Sequence, residues 1–489
     1  MLPLIEKFFK VLGSEGVIYC HWKSTASLAA AAQGEDDLDL LISHESRQAF
    51  LGVLHRLGFK EAWMSKRASQ IPGILDYYGY DETACKLIHV HAHYKLILGQ
   101  DMTKNYHVPI ENVYLESSFQ GDFFRIPAPE FEFSVFVIRM MLKHSTWNAI
   151  LGGQGRLSGR ERQEMEYLHK RVSLERIGQV LTNHLPFLNS ALFDDCVRSL
   201  QPRCPFRVRV KAGEQIQKAL QGCRLQPKGI DIWLQFWRRL AMAGKRRLFR
   251  NFRRENTKTM KNGGMLVAIV GGDGAGKTTV IEGIVEWLSP FFVTMKVHMG
   301  KPTWSWMTIL IRGILKVGRS LGFYPFTRGS MDFRDEENPG SFPGYPSLIR
   351  EVCTGRDRYL SYVKARKQAD KGAFVICDRF PLPRMIFMDG PQIERMAGTF
   401  PNNWFIRLLG RLESRYYRFI SLPDLLCVLK VDPDTAVERK SDETAAFVRA
   451  RTKEIWENNW EGSTVHVIDA NRSKMEVLDR TKALLWAHL

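Results

Sequence analysis

Apolar residues in the C-terminal half of the chain form five short runs, separated by segments long enough for helices. The runs are LVAIV, VTMKVHM, FVICD, LLCVLKV and VHVID, and they are rich in β-branched residues. Continuous apolar runs of this length are typical of strands that are buried on both faces of a sheet. The alternation of strand and helix therefore predicts an α/β fold with a five-stranded parallel sheet in residues 263–489.

The N-terminal half has a different pattern. Up to about residue 155, short apolar runs such as VIYCHW, LDLLI and KLIHVHAHY mix with helical stretches, which predicts an α+β domain. Residues 156–262 contain no long strand pattern and are predicted to form a mostly helical, basic connecting region. An Asn-Gly-Gly break follows at 262–264. We therefore predict three parts, which are residues 1–155, 156–262 and 263–489.

A glycine-rich segment directly follows the first of the five predicted strands. Its sequence, GGDGAGKT, matches the pattern G-x-x-x-x-G-K-[ST], and a helical pattern comes next. Backbone N–H groups in such a loop bind phosphate oxygens, together with the N-terminus of the following helix. Lys277 would neutralise the transferred phosphoryl group, and Thr278 would be a ligand of Mg²⁺. The residues predicted to bind ATP are Gly271, Gly272, Asp273, Gly274, Ala275, Gly276, Lys277, Thr278 and Thr279.

The segment GGDGAGKTT resembles the P-loop of thymidylate kinases, and the resemblance continues to the C-terminus of the chain. A basic helix around Arg358, the strand FVICD and the triplet Asp378-Arg379-Phe380 follow one another as in that family. The resemblance implies that Asp378 orients hydrated Mg²⁺, that Arg379 bridges donor and acceptor phosphates, and that Arg358 contacts the acceptor. A carboxylate at the end of a buried strand and a neighbouring arginine suit these roles chemically. The predicted catalytic residues are Lys277, Asp378 and Arg379.

The same resemblance implies two further parts of a kinase site. Asp273 matches an acidic residue that lies near the acceptor sugar in the family, so it is a predicted acceptor-binding residue along with Arg358 and Arg379. The segment PDLLCVLKVDPDTAVERK is similar to the family's fourth strand and the start of its lid, and VHVIDANRS to the adenine-packing segment. A cationic lid would close over the β- and γ-phosphates and exclude water. The predicted lid cations are Arg439, Lys440, Arg449 and Arg451.

The acceptor side departs from thymidylate kinases. That family carries a Glu-Pro-Gly-Gly-like loop after the second strand, whereas this chain has His298–Pro302. Residues 303–326 are then added, and cations interrupt their apolar residues at near-helical spacing. The added segment is either a helix packed on the kinase core or a helix at a lipid interface, flanked by Trp304 and Trp306. The cations of the segment are Arg312, Lys316 and Arg319.

A short motif in the first domain, HWKS followed by GEDDLDLL, resembles the nucleotidyltransferase superfamily. Asp37 and Asp39 would project from the same face of a strand, as a site that binds metal ions for phosphoryl transfer requires. In place of the superfamily's third carboxylate, a later strand carries His89, His91 and His93 on one face. These histidines are either additional metal ligands or the polar face of a half-buried strand. Both an active transferase and a non-catalytic substrate-binding or regulatory domain are compatible with this pattern.

The chain is strongly basic, with 70 Lys and Arg residues against 52 Asp and Glu residues. This excess favours acidic partners such as nucleotides, phosphorylated metabolites, anionic lipid or nucleic acid. It is greatest in residues 238–261, which are either a solvated basic helix and linker or a nucleic-acid contact. The eight cysteines form no Cys-x-x-Cys pair, and no apolar segment is long enough to span a membrane. With no signal-peptide pattern at the N-terminus, a cytoplasmic protein is predicted.

Together these features predict an ATP-dependent kinase that uses Mg²⁺ and transfers the γ-phosphoryl group of ATP to a small acceptor. The resemblance implies a nucleoside monophosphate as the acceptor, and dTMP is the leading candidate. One alternative is a kinase for a sugar, glycan or lipid-linked acceptor, which the altered loop and the added segment favour. Another is an ATP-dependent regulatory or nucleic-acid-associated factor, which the basic stretch favours.

Overall fold

The computed structural model comprises two compact units, residues 1–255 and 256–489. No helix within the described ranges has the length and apolar character needed to cross a membrane. Most of the basic stretch at 238–261 lies outside the described residues, as do 324–326 of the added segment. The described residues are 1–65, 70–100, 104–145, 155–231, 233, 234, 237, 257–323, 344–382, 390–393, 403–440 and 444–489.

The first unit begins with a mixed sheet and its flanking helices. The sheet strands follow the order β1-β2-β5-β4-β3. β2 and β5 are parallel, whereas the other neighbouring pairs are antiparallel. The elements are α1 (Pro3–Ser14), β1 (Tyr19–His21), α2 (Leu28–Ala32), β2 (Leu38–Ile42), α3 (Arg47–Arg56), β3 (Lys60–Met64), β4 (Ile74–Asp81) and β5 (Lys86–His93). The two strands that carry the predicted polar motif are therefore direct neighbours.

Helix α1 illustrates how the sequence pattern produces this packing. Ile5, Phe8, Phe9 and Leu12 recur at the spacing that lines up one face of a helix, and all four are buried. They join a core with residues of β1, β2, β4 and β5. Because α1 covers the sheet in this way, the strands beneath it are held in fixed positions.

The rest of the first unit is mostly helical. Its elements are β6 (Ile97–Leu98), β7 (Tyr106–His107), α4 (Glu111–Glu116), β8 (Phe119–Gln120), β9 (Arg125–Ile126), α5 (Pro129–His144), α6 (Gly159–His169), α7 (Leu174–His184), α8 (Ser190–Leu200) and α9 (Phe206–Ala219). Helix α5 is buried along almost its whole length and contacts α6, α7, α8 and α9. A single core joins these helices, so in this structure the helical region packs with the end of the predicted α+β domain.

Buried Glu132 on α5 is expected to make the stability of the first unit depend on pH. Its carboxylate lies 2.7 Å from the hydroxyl of Thr25, and burial raises the pKa of Glu132 to about 7. As the pH rises from about 4.5 towards 7, the unfolded chain releases this proton while the folded protein keeps it, so stability falls. Glu132→Gln keeps the shape of the side chain but has no titrating proton. We therefore expect the Tm of this variant to increase relative to the Tm of the parent protein as the pH rises.

The measurement is thermal unfolding of both proteins at about pH 5 and about pH 8. This interval covers most of the pH range in which the stability of the parent protein is expected to fall. We expect the Tm of Glu132→Gln minus that of the parent protein to be larger at the higher pH. An equal difference at both pH values would contradict the raised pKa of Glu132.

The second unit contains the predicted five-stranded parallel sheet, which is confirmed with the strand order β12-β13-β11-β14-β15. Its elements are β10 (Lys258–Met260), β11 (Met265–Gly271), α10 (Lys277–Leu288), β12 (Thr294–His298), α11 (Trp306–Ser320), α12 (Tyr345–Ala369), β13 (Phe374–Asp378), α13 (Trp404–Arg418), β14 (Leu425–Lys430), α14 (Pro433–Arg439), α15 (Ala445–Glu457), β15 (Val465–Asp469) and α16 (Lys474–His488). β11 lies between β13 and β14. The strands β12 and β13 are on one side of it and β14 and β15 are on the other, so the chain reverses its direction of winding at β11. Ligands bind at such a switch point, beyond the carboxyl ends of the strands.

Strand β11 is buried on both faces, as its continuous apolar run predicts. Leu266, Ala268 and Val270 share a core with Tyr362 and Ala365 of α12. The alternate residues of the strand are also buried, because successive side chains point to opposite faces. The end of β11 is thereby fixed, and the P-loop begins from a rigid point.

Candidate functional site

The P-loop connects β11 to α10 at the switch point of the sheet. Gly274 and Gly276 have φ values of 81° and 82°, a left-handed conformation that glycine adopts without strain. A Cβ atom on Gly274 would also lie 2.6 Å from the carbonyl oxygen of Ala436. Gly276 immediately precedes α10, so the free N–H groups of the first helical turn point towards the loop. This is the backbone arrangement that binds phosphate.

Lys277 is folded back into the loop. Its Nζ donates hydrogen bonds to the carbonyl oxygens of Gly271, at 2.9 Å, and Gly272, at 2.7 Å. Thr278 and Thr279 are exposed in the first turn of α10, so their hydroxyl groups are accessible to a ligand. The nine residues predicted to bind ATP thus form one continuous loop and helix start, while their role in binding stays a prediction.

Asp273 lies among three cations, one from the P-loop itself and two from later parts of the chain. It is buried, and its carboxylate accepts hydrogen bonds from Arg379, at 3.3 Å, and from Arg451, at 3.0 Å. Lys277 Nζ lies 3.7 Å from the same carboxylate. Burial alone would raise the pKa of Asp273, but the positive charges of Lys277, Arg451 and Arg379 outweigh burial and lower it. Asp273 is therefore ionised at neutral pH and holds three cations beside the loop.

The predicted pair Asp378 and Arg379 lies directly beside the P-loop. Asp378 ends β13 and pairs in register with Ile269 of β11, so its carboxylate is at the same edge of the sheet as the loop. His298 Nε2 is 3.8 Å from Asp378 Oδ2. Arg379 has a φ of 57°, which is uncommon for a residue with a Cβ atom. Such strained backbone, which costs on the order of 1–3 kcal/mol, is concentrated at functional sites.

Arg358 supports the loop that replaces the acceptor loop of thymidylate kinases. Its Nε donates to the carbonyl oxygen of Met299, at 3.0 Å, and its Nη2 to that of Gly300, at 3.3 Å. Its Nη1 donates to the hydroxyl of Tyr417 on α13. Arg358 is buried, so in this structure it positions the loop at His298–Pro302. Its predicted direct contact with an acceptor stays a prediction.

Two residues near this loop were missed by the sequence analysis. Tyr417 is far from Arg358 along the chain, and no motif marks it. The sequence did contain a signal for Asp357, because this residue is adjacent in the same helix to Arg358, which was predicted to belong to the site. Its carboxylate accepts a hydrogen bond from the backbone N–H of Ser305, at 3.2 Å, and Arg356 donates to the hydroxyl of Ser305, at 2.9 Å. Three consecutive side chains of α12 therefore contact the two ends of the segment 299–305, at Met299, Gly300 and Ser305.

The predicted lid cations do not act as one group in this structure. Arg451 on α15 reaches Asp273 of the P-loop. Arg449 is half exposed and forms an ion pair with Asp434, at 2.6 Å. Arg439, at the end of α14, donates to the carbonyl oxygen of Ala470, which follows β15. Arg451 therefore connects the predicted lid to the P-loop.

A second polar cluster lies on β2 and β5 of the first unit. Asp39 Oδ1 is 3.1 Å from Nδ1 of His91, 3.7 Å from Nε2 of His93 and 2.8 Å from Nζ of Lys23. The two imidazole nitrogens are 3.3 Å apart. Within the described ranges, Asp39, His91 and His93 form a group whose potential metal-ligand atoms all lie within 4.8 Å of one another.

The other predicted aspartate has different neighbours. Asp37 Oδ1 is 2.7 Å from Nδ1 of His89, and the opposite nitrogen of that ring is 2.8 Å from Asp76 Oδ1. Asp76 lies on β4, which pairs antiparallel with β5. The sequence did not predict this residue, because no motif marks a side chain that reaches the cluster from a neighbouring strand. Asp37 and Asp39 therefore contact different histidines, and their role as a pair of metal ligands stays a prediction.

Burial and mutual contacts set the charges of the Asp39 cluster. Burial lowers the pKa of His91, and it holds the pKa of His93 well below its usual range. Burial alone would raise the pKa of Asp39, but the charge of Lys23 and the contacts with the two histidines hold it well below its usual value. At neutral pH the cluster therefore contains one carboxylate and two neutral imidazoles.

No model of a known protein family matches the chain. The chain is similar to two Escherichia coli strain K12 proteins named Uncharacterized ATP-binding protein YghS and Uncharacterized ATP-binding protein YghR. YghS is 26% identical over 232 residues, which cover 46% of this chain and 93% of YghS. YghR is 24% identical over 230 residues, which cover 44% of this chain and 85% of YghR. The chain is thus a distant homologue of proteins named as ATP-binding.

Proposed function

We propose that the second unit binds ATP and transfers its γ-phosphoryl group to a small acceptor. The observation that carries this proposal is the P-loop, which joins a buried parallel strand to a helix N-terminus and contains Lys277. The names of YghS and YghR support ATP as the nucleotide. Arg379 and Arg451, both in contact with Asp273, support phosphoryl transfer in addition to binding, because cations stabilise the charge of the transferred group.

In the proposed reaction, an oxygen of the acceptor attacks the γ-phosphorus of ATP. The bond between the γ-phosphorus and the β–γ bridging oxygen breaks, and ADP leaves with that electron pair. Backbone N–H groups of the loop and of α10 hold the phosphates. Lys277 exchanges its hydrogen bonds with the Gly271 and Gly272 carbonyls for hydrogen bonds with phosphate oxygens. Arg379 orients the acceptor group against the γ-phosphoryl group.

The residues around the loop fit Mg²⁺ as the cofactor. The exposed hydroxyl of Thr278 and the carboxylate of Asp378 are hard oxygen donors, which Mg²⁺ prefers. Mg²⁺, when bound with ATP, supplies positive charge that neutralises the phosphate oxygens. Thr278 and Asp378 are the residues that would hold it.

The acceptor that the thymidylate kinase resemblance favours is a nucleoside monophosphate, and dTMP is the leading candidate. The loop at His298–Pro302 would line the acceptor side. Arg358 holds the backbone of this loop through hydrogen bonds to the Met299 and Gly300 carbonyls. A loop held in this way selects acceptors by hydrogen-bond fit.

The test is a screen for ADP release by the full chain with ATP, Mg²⁺ and nucleoside monophosphates, sugars or polyprenyl and glycolipid acceptors. We expect one acceptor class to stimulate ADP release in proportion to its concentration and to receive label from γ-labelled ATP. No label transfer to any class would contradict the kinase proposal. Slow hydrolysis that only nucleic acid or a protein alters would instead support the regulatory alternative.

A specific observation favours a lipid-linked acceptor as the second candidate. Helix α11, in the added segment, attaches to α12 through Ser305, and Thr308 is buried. Its apolar face is nevertheless exposed to solvent. This face follows a single helical stripe and comprises Trp306, Leu310, Ile314, Val317 and Leu321. An exposed apolar stripe of this length is typical of a helix that lies in a membrane interface.

The charges of the added segment fit an anionic bilayer surface. Residues 301–323 contain no acidic residue. Arg312, Lys316 and Arg319 lie about 120° or more around the helix axis from the middle of the stripe, so they add to the positive charge of the segment without bordering the stripe directly. The Arg312 guanidinium lies over the ring of Trp304, which is itself exposed. We propose that α11 docks the protein on an anionic membrane surface, where a lipid-linked acceptor would be available.

Vesicle co-sedimentation tests the docking proposal. We expect the full chain to bind phosphatidylglycerol-containing vesicles more strongly than pure phosphatidylcholine vesicles. Replacing Ile314 and Val317 with aspartate should reduce binding at least tenfold, because charge is costly in the acyl boundary. The matched control is Leu174→Asp, which changes an exposed leucine of α7. Equal vesicle binding by both variants, or concentration-dependent self-association that the α11 variant abolishes, would contradict membrane docking.

A further inference from the structure

We propose that Asp39, His91 and His93 form a binding site for a divalent transition-metal ion such as Zn²⁺. The site lies in the first unit and is independent of the function proposed for the P-loop. Of the two aspartates and three histidines that the sequence suggests, it uses Asp39, His91 and His93 and leaves out Asp37 and His89.

The distances among the three donor atoms fit a single ion. Asp39 Oδ1, His91 Nδ1 and His93 Nε2 are separated by 3.1, 3.3 and 3.7 Å. Ligands at about 2.1 Å from a tetrahedral ion lie about 3.4 Å from one another. An ion above the centre of this triangle would therefore reach all three atoms with only small movements of the side chains.

The sheet holds the donors in this arrangement. Asp39 on β2 is paired in register with His91 on the parallel strand β5, and His93 follows on the same face. Both strands are covered by the α1 core, which fixes their backbones. The ring of His93 is buried and packs edge-on against Trp22, with centroids 5.0 Å apart. A site carried by strands with packed ligands is already organised before the ion binds.

The donor set selects the class of metal. Two imidazoles and one carboxylate suit Zn²⁺, Fe²⁺ and other first-row transition ions, whereas Mg²⁺ and Ca²⁺ prefer oxygen ligands alone. Three protein ligands leave at least one coordination position for water or for an oxygen of a bound molecule. The site therefore has the ligand count of a metal centre that can bind or activate a small ligand.

Lys23 competes with the ion. Its ammonium group lies 2.8 Å from the same Oδ1 atom of Asp39 that the metal would contact. The two cations repel each other at this distance, so metal binding requires the Lys23 side chain to move away. Removing the charge of Lys23 should therefore tighten metal binding, which would not be expected if the ion bound elsewhere on the protein.

The test is titration of the chelator-stripped full chain with Zn²⁺ by calorimetry, and with Co²⁺ by visible absorption. We expect one ion per chain in this site and a Co²⁺ spectrum that reports nitrogen and oxygen ligands. Asp39→Asn and His91→Gln should each weaken binding by a factor of about 10 to 100 or more. Mg²⁺ in excess should not displace the ion. Circular dichroism verifies that each variant is folded.

His466→Gln is the matched control, because His466 and His488 face each other on the second unit and offer an adventitious site, with ring nitrogens 2.8 Å apart. The first-unit site should persist in this variant. Lys23→Met should bind Zn²⁺ on the order of tenfold more tightly than the parent protein. Unchanged affinity in folded Asp39→Asn and His91→Gln, loss of binding in His466→Gln, or unchanged affinity in Lys23→Met would each overturn the proposed site.

Discussion

Lys277→Ala is expected to lower ATP-dependent turnover by a factor on the order of 10³ or more. The side chain is buried in the P-loop, where the Gly271 and Gly272 carbonyls hold its ammonium group at the loop until phosphate oxygens replace them as partners. Water cannot replace a fixed positive charge on the transferred group, because mobile dipoles must reorganise in the transition state. The measurement is the initial rate of ADP release with the best acceptor from the screen.

Two further variants separate loss of charge from loss of structure. Lys277→Met retains most of the length and volume of the side chain, so a similar decrease in turnover would identify the charge as the cause. Lys296→Ala removes an exposed lysine from β12 of the same unit and should leave turnover nearly unchanged. Near-normal turnover in folded Lys277→Ala would contradict the catalytic role of the P-loop.

The sequence was sufficient to predict features that depend on neighbouring residues in the chain. The P-loop is a continuous segment, and its glycines, lysine and threonines have fixed spacing, so one motif locates the whole loop. The five strands of the second unit were predicted for the same reason, since each is a short apolar run. Their order in the sheet was not predicted, and the fold places β13, not β12, beside β11, which brings Asp378 next to the loop.

Contacts between distant segments were beyond the sequence. Arg358 matched a family position that implies acceptor contact, yet it donates to the loop at 299–300 and to Tyr417, partners that no local pattern indicates. In the first unit, Asp76 reaches His89 from a neighbouring antiparallel strand. Such contacts depend on which side chains the completed fold brings together. Spacing along the chain contains little information about them.

Asp273 shows how the two kinds of information combine. Its position inside the P-loop could be predicted, as could a role for Arg379 and for Arg451 in the lid. That all three side chains meet, with Asp273 as the shared anion, is observed only in the fold. The contact links the lid helix α15 to the phosphate loop through one carboxylate, which holds cations near the expected position of the γ-phosphate.

We expect dTMP to be a poor substrate compared with the best acceptor from the screen. The loop at His298–Pro302 replaces the family's acceptor loop, and Arg358 and Asp357 hold the backbone at 299, 300 and 305. A rigid loop with different hydrogen-bonding groups leaves polar atoms unpaired when dTMP binds. Such a mismatch can decrease kcat/KM by several powers of ten. The measurement is kcat/KM for dTMP and for the best acceptor under the same conditions.

Arg379→Ala tests whether the same phosphate-orienting group serves whichever acceptor is used. Its guanidinium contacts Asp273 beside the P-loop, so its loss should lower kcat/KM for the best acceptor by about 10² or more. Arg415→Ala, which removes an exposed arginine of α13, is the matched control and should have little effect.

An efficient reaction with dTMP, with kcat/KM on the order of 10⁵ M⁻¹s⁻¹, would contradict our interpretation of the altered loop. In that case the loop at His298–Pro302 would bind the same acceptor as the loop of thymidylate kinases, with a different structure. Arg379→Ala should then lower kcat/KM for dTMP by about the same factor of 10² or more.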